Sequence, residues 1–268
     1  MNHMNKLIFN RPPTLKRLLL CFFVVYLSAC ANDEQAYPEV FQDSSTPMLD
    51  LQNALNTAQN DGKLLALVLG AQWCHDSRGL AKNFATKELA SLLADNYHVI
   101  YLDVGYYKDL RQVTQRFGQA HYYATPTVMI IDPDSETWLN WHDHEVWGNA
   151  DSLPLSEYIR YFDKYNSTNT DKLLPIHSGV SKSHLADIQA FERQQSDRLQ
   201  NAYGILVPDM LQEDSGDEVN AMFYQRWNEV RAFRSQLNID IRQLYTDAKE
   251  KPDTALTLPS YAPFDWED

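Results

Sequence analysis

Apolar residues recur along this chain with alternating periods, and the alternation predicts an architecture. Between Met48 and Asn60, Leu51, Leu55 and Ala58 repeat at helical spacing, and Asp61-Gly62 stops the run. Leu64–Leu69 is continuously apolar and reads as a buried strand. Gly70-Ala71-Gln72-Trp73 leads into a helical stretch from Cys74 to about Phe84, and a second short helix fits Lys87–Asp95. Tyr97–Val104 reads as another buried strand, Asp109–Phe117 as a helix and Thr127–Ile131 as a third strand. Asp132-Pro133-Asp134 is turn chemistry, Trp138–Trp141 fits a fourth, paired strand, and Leu155–Tyr165 fits a closing helix. Strands alternating with helices predict an α/β fold with a central mixed sheet flanked by helices.

The pattern then changes. Residues 166–183 are rich in Ser, Thr, Asn and Lys and read as a linker. Beyond it, Ile188, Phe191, Leu199 and Tyr203 mark one helical stripe, and Phe223, Trp227, Val230, Leu237, Ile241 and Leu244 mark another. Gly204, Pro208 and the acidic stretch 213–218 separate them, which predicts a C-terminal helical hairpin over 184–250. Two readings stand for these stripes: packing on each other or on the first domain, or a face for a partner. Residues 251–268 hold Pro252, Pro259 and Pro263 and read as an extended tail.

The N-terminus reads as an address. Residues 1–17 carry Lys6, Arg11, Lys16 and Arg17 and no acid, and an apolar run follows from Leu18 to Leu27. That run is short of the roughly twenty residues a spanning helix needs. A basic start and a short apolar core predict a secretory signal peptide over 1–29. Leu27-Ser28-Ala29-Cys30 resembles the lipobox of bacterial lipoproteins. That resemblance implies cleavage before Cys30, its acylation (palmitate among the chains) and attachment to a membrane. Residue 31 is Ala rather than Asp, which by the same resemblance points to the outer membrane, facing the periplasm. Residues 30–47, polar and containing Pro38 and Pro47, read as a tether.

Charge narrows the function classes. The chain is 44% hydrophobic with a formal net charge of -13. Such a balance argues against nucleic acid, whose phosphates need clustered Lys and Arg. It also disfavours electrostatic adhesion to anionic lipid. Of three cysteines, Cys21 would leave with the signal and Cys30 would become a thioether, so Cys74 would be the free thiol. No pair has the spacing of a disulfide framework or a zinc finger.

Cys74 follows a buried strand and opens a helix, where unpaired backbone N–H groups and the helix dipole favour negative charge. The thiolate is the reactive form of cysteine. Thr125-Pro126-Thr127 stands immediately before the strand Val128–Ile131. Together these residues resemble the thioredoxin superfamily, in which strand–Trp-Cys-x-x-Cys–helix is followed by a cis-Pro loop beside the thiol. The resemblance covers residues 48–165 and implies a thioredoxin-like fold. Where the family has its second Cys, this chain has Ser77.

By that resemblance Cys74 is the nucleophile, Ser77 a hydrogen-bond donor to it, and His75 and Asp76 residues that tune it. Trp73, Thr125 and Pro126 would form the substrate groove. For Asp76 and Ser77, first-turn helix capping is an equal alternative. Without a second Cys, an attacked substrate remains as a mixed disulfide until another thiol releases it. The expectation is an isomerase- or reductase-like protein acting on cysteine-containing envelope proteins or a small thiol, with no cofactor. The alternative is a redox-inactive lipoprotein that binds a partner through the groove or the C-terminal helices. A second cluster, His142-Asp143-His144-Glu145, holds ligand-type residues but no zinc or copper spacing, so no metal is expected and a solvated loop is the simpler reading. His121, Tyr122 and Tyr123 precede Pro126 and either line the groove or pack the loop.

Overall fold

The computed structural model describes residues 37–166 and 175–267. The expected signal peptide, Cys30 and the first part of the tether lie outside the described residues, as do 167–174 of the expected linker. The elements follow the order α1 (Pro47–Asn60), β1 (Leu64–Gly70), α2 (His75–Phe84), α3 (Lys87–Asn96), β2 (Tyr97–Asp103), α4 (Arg111–Gln115), β3 (Thr127–Asp132), β4 (Thr137–Trp138), a 3-10 helix (His144–Ser152), α5 (Leu155–Lys164), α6 (Lys182–Asp214) and α7 (Phe223–Glu250).

The four strands form one sheet in the order β2-β1-β3-β4. β1 runs parallel to β2 and antiparallel to β3, and β4 is antiparallel to β3. β1 is apolar throughout because both of its faces are covered. Leu65, Leu67 and Leu69 join the core beneath α1, while Leu64, Ala66 and Val68 join the core beneath α2, α3 and α5. Met129 and Ile131 of β3 extend the first core, and Val128 and Ile130 the second.

Three elements differ from the sequence pattern. The fourth strand was expected over Trp138–Trp141, yet β4 ends at Trp138. There Asn140 takes over with its side chain. Its Oδ1 accepts from Ile130 N at 2.7 Å and from the Trp138 indole at 2.7 Å, and its Nδ2 donates to Val128 O at 2.9 Å. A side-chain amide thus completes the edge of β3. α4 is shorter than the expected Asp109–Phe117. At its start the Asp109 carboxylate accepts from Arg111 N at 3.1 Å, and at its end Phe117 N and Gly118 N bond three residues back, to Thr114 O and Gln115 O.

The third difference is larger. Gly204 and Pro208 were expected to separate the hairpin helices, but α6 runs straight through both to Asp214. Pro208 lacks the N–H that would bond to the carbonyl of residue 204. Leu206 and Met210 on either side are buried, and their packing holds the helix across the gap. The hairpin also shares its core with the sheet: Leu199, Tyr203 and Leu206 of α6 and Val230, Leu237 and Ile241 of α7 belong to the same cluster as Leu65 and Met129. Polar ties reinforce this, with Arg111 bound to Asp197 and Arg242 bound to Glu145 and Trp141 O. The tail folds back on the hairpin. Arg198 lies between the rings of Phe233 and Phe264 (4.6 and 4.5 Å) and pairs with Glu267 at 2.8 Å.

Candidate functional site

β1 and β2 run parallel, so their C-terminal ends, and the loops that follow them, emerge on one edge of the sheet. The β1 loop carries Trp73 and Cys74; the β2 loop carries Gly105, Tyr106 and Tyr107. Trp73 binds the two loops together: its indole N–H donates to Gly105 O at 2.7 Å, and its ring stacks parallel to Tyr106.

Cys74 is the N-cap of α2, with extended φ/ψ, and its carbonyl accepts the first helical bond, from Arg78 N at 3.1 Å. Its side chain does not cap the helix. Instead its sulfur lies 3.2 Å from Thr125 O, as donor to that carbonyl. The Thr125–Pro126 peptide is cis. Cys74 and the Thr125-Pro126 loop are thus in direct contact, with Cys74 9% exposed as a residue. The Thr125 hydroxyl is buried and has no hydrogen-bond partner among the described residues.

The flanking residues divide. Ser77 is fully buried, and its Oγ accepts from Ala71 N at 3.3 Å, which ties the loop before Cys74 to α2. His75 is mostly exposed, with Nε2 3.0 Å from the Asp151 carboxylate. Asp76 Oδ1 accepts from Asp151 N at 3.1 Å. Asp76 thus ties α2 to the 3-10 helix, and both His75 and Asp76 are bound to Asp151. Gly79 permits this contact, since a Cβ there would lie 2.6 Å from the Asp151 Cα. Arg78 reaches back to donate to Gln72 O and Trp73 O, both at 3.0 Å.

Several residues of the site carry no local sequence signal. Tyr107 has φ +58 and is buried between Trp73 and the hairpin. Its ring stacks on Tyr203 of α6 at 4.1 Å, and the Arg234 guanidinium of α7 donates to both phenol oxygens at 3.2 Å. Burial raises the Tyr107 phenol above its ordinary value, with Arg234 opposing. In the segment before Thr125, Ala120 and Tyr123 meet Glu192 of α6, which is 2% exposed and accepts from Ala120 N and the Tyr123 hydroxyl, both at 2.9 Å. Burial raises its carboxyl to about 7. His121 of the same segment is buried and hydrogen-bonded to Tyr122 O at 2.8 Å and to Gln200 of α6 at 3.0 Å, and burial lowers it to about 4. The chain direction of β1 and β2 was the available signal for the Tyr106-Tyr107 loop; nothing local marked the hairpin residues.

The His142–Glu145 segment enters the 3-10 helix; His142 is exposed, but the other three side chains are bound within the protein, so the segment is not the solvated loop expected. His144 is buried and hydrogen-bonded to Trp141 O at 2.8 Å, Asp143 accepts from Tyr161 and Tyr165, and Glu145 pairs with Arg242. Among the described residues no group of three or more His, Cys, Asp or Glu converges as a metal set.

Comparison with known proteins bears on the fold. The chain matches no curated protein. Among solved structures, a disulphide isomerase from Xylella fastidiosa Temecula1 is similar to 48% of this chain over 98% of its own, at 22% identity and a TM-score of 0.44. A family model described as thioredoxin-like matches residues 46–133, which run from the start of α1 through β3 and include Cys74 and Pro126. That match takes in three of the four strands, and this part of the chain has a thioredoxin-like fold.

Proposed function

We propose that this protein acts on protein thiols and disulfides through Cys74, by mixed-disulfide exchange, as a lipid-anchored protein of the cell envelope. The observation that carries the reading is the sulfur at the start of α2, 3.2 Å from the carbonyl of Thr125. Its chemistry follows from one thiol without a neighbouring partner. The Cys74 thiolate attacks one sulfur of a substrate disulfide, that S–S bond breaks, and the other sulfur leaves as a thiolate that takes up a proton. A different thiol of the same substrate, or a small external thiol, then attacks the mixed disulfide and frees Cys74. Attack by the substrate's other thiol forms a new pairing and gives isomerisation; two external thiols give net reduction and are themselves oxidised to a disulfide. Cys74 stands at the start of α2, where free backbone N–H groups and the helix dipole favour negative charge. In this reading the Thr125-Pro126 loop and Trp73 form the walls of the groove.

The anchor is Cys30, and Ala31 directs the protein to the outer membrane, facing the periplasm. Among the described residues no helix is long and apolar enough to cross a membrane, and attachment through lipid requires none. Envelope extracts from cells making the wild-type chain or C74S, quenched with an alkylating agent and run without reductant, test the exchange. Adducts present with Cys74 and absent from C74S are expected; identical patterns end the proposal. Labelled palmitate should enter the wild-type chain and not C30A.

A second reading is a binding protein that uses the same groove without redox chemistry. The burial of Cys74 favours it. Full complementation of a deletion by C74S would select this reading over the first.

A further inference from the structure

Beside Trp73 lies a cavity of about 430 Å³ between the thioredoxin-like domain and the tip of the hairpin. Its walls are Trp73, Tyr106, Phe223 and Trp227, and its mouth carries the consecutive carboxylates Glu213 and Asp214. The rings form a continuous surface leading from the site: Trp73 lies 5.4 Å from Tyr107, which lies 5.4 Å from Trp227. Elsewhere this protein fills such arrangements with its own arginines. Arg198 covers Phe233 and Phe264, Arg226 covers Trp266, and Arg234 covers Tyr107. Among the described residues no Lys or Arg lies over the four rings of the cavity, and none is paired with Glu213 or Asp214. The carboxylates instead hold phenols: Tyr224 donates to Glu213 at 2.9 Å, and burial together with Asp214 raises the Tyr106 phenol to about 12, so that ring stays neutral.

Ring faces and carboxylates both attract a cation, and a guanidinium or ammonium with an apolar stem satisfies both at once. We propose that this cavity receives the side chain of an Arg or Lys close to the reacting cysteine of a protein substrate, and so selects basic sequence around the disulfides on which Cys74 acts. This rests on the proposed exchange reaction for the peptide, and on the cavity alone for the cation. Trp73, which precedes Cys74 in the chain, lines the cavity, so the cavity adjoins the residue next to the sulfur. The charged groups on the hairpin tip, from Glu213 to Glu218, are all acidic, which matches a basic partner and repels an acidic one.

The test separates binding from chemistry. Short peptides containing Gly-Arg-Ser-Gly or Gly-Gln-Ser-Gly, which cannot form disulfides, are titrated into the full chain and into C74S, with Trp fluorescence or calorimetry as the readout. The Arg peptide should bind about tenfold more tightly in both proteins, a factor in the range of a partly desolvated cation–ring contact. In the double variant E213Q/D214N, at exposed positions, the ratio should fall to within twofold. Equal affinities for Arg and Gln peptides, or a ratio unchanged in the double variant, overturn the proposal. The matching Cys peptides, supplied as glutathione mixed disulfides, report exchange separately. Selective binding with no adduct at Cys74 keeps the cation site and removes the exchange reaction; adducts at equal rates with both peptides remove the site and keep the reaction.

Discussion

Glu192 offers the sharpest quantitative test of how the hairpin is joined to the loop beside Cys74. Its carboxyl is 2% exposed and accepts two hydrogen bonds on one oxygen, from Ala120 N and the Tyr123 hydroxyl, and Arg193 of the same helix is the cation that acts on it. Burial outweighs these favourable contacts and raises its pKa from 4.5 to about 7. A folded value above the unfolded one means that folding favours the protonated acid. This contribution to stability is full below about pH 4.5, falls as pH rises towards 7, and stays lost above it. A shift of this size corresponds to a change on the order of 3 kcal/mol. The variant E192Q keeps the shape and an acceptor oxygen but cannot ionise. Urea unfolding of both proteins, followed by Trp fluorescence between pH 4.5 and 8, isolates the effect as a difference, because every other titrating group is common to both. Wild type and E192Q should be nearly equal at pH 4.5, and E192Q should be the more stable by about 2–3 kcal/mol at pH 8. A difference independent of pH would refute the reasoning, since it would mean that the carboxyl is not buried in the α6 interface.

Two further substitutions probe the frame around the site. N140A should cost about 3–5 kcal/mol in the same assay, because it leaves Ile130 N, Val128 O and the Trp138 indole unpaired in the core; a loss below about 1 kcal/mol would show that water or the backbone replaces the amide. G70A should cost about 1–3 kcal/mol, because its Cβ would run into the Phe41 ring and lie 2.9 Å from Ser77 Oγ; a neutral result would mean that Phe41 does not pack over the end of β1.

The sequence by itself determined the domain's elements and the position of its thiol within them. Leu64–Leu69 had to be a strand covered on both faces, since six successive apolar residues leave no side for water, and the helical stripes of α1, α2 and α5 supplied the covers. With Trp73-Cys74 after that strand and Thr125-Pro126 before β3, the facing pair could be named in advance. These features are local: each depends on the period of a short window and on the residues that end it. The environment of the thiol was decided elsewhere. Tyr107 meets Tyr203 and Arg234, Tyr123 meets Glu192, and Trp73 shares a cavity with Trp227, all pairs far apart in the chain. No period encodes which apolar stripe of a hairpin docks on which edge of a sheet; only the packing of one core against another selects it. The same packing carried α6 through Gly204 and Pro208, where local propensity alone would have ended the helix. Local chemistry therefore specified the cysteine, while long-range packing set how deeply it is buried and what stands beside it.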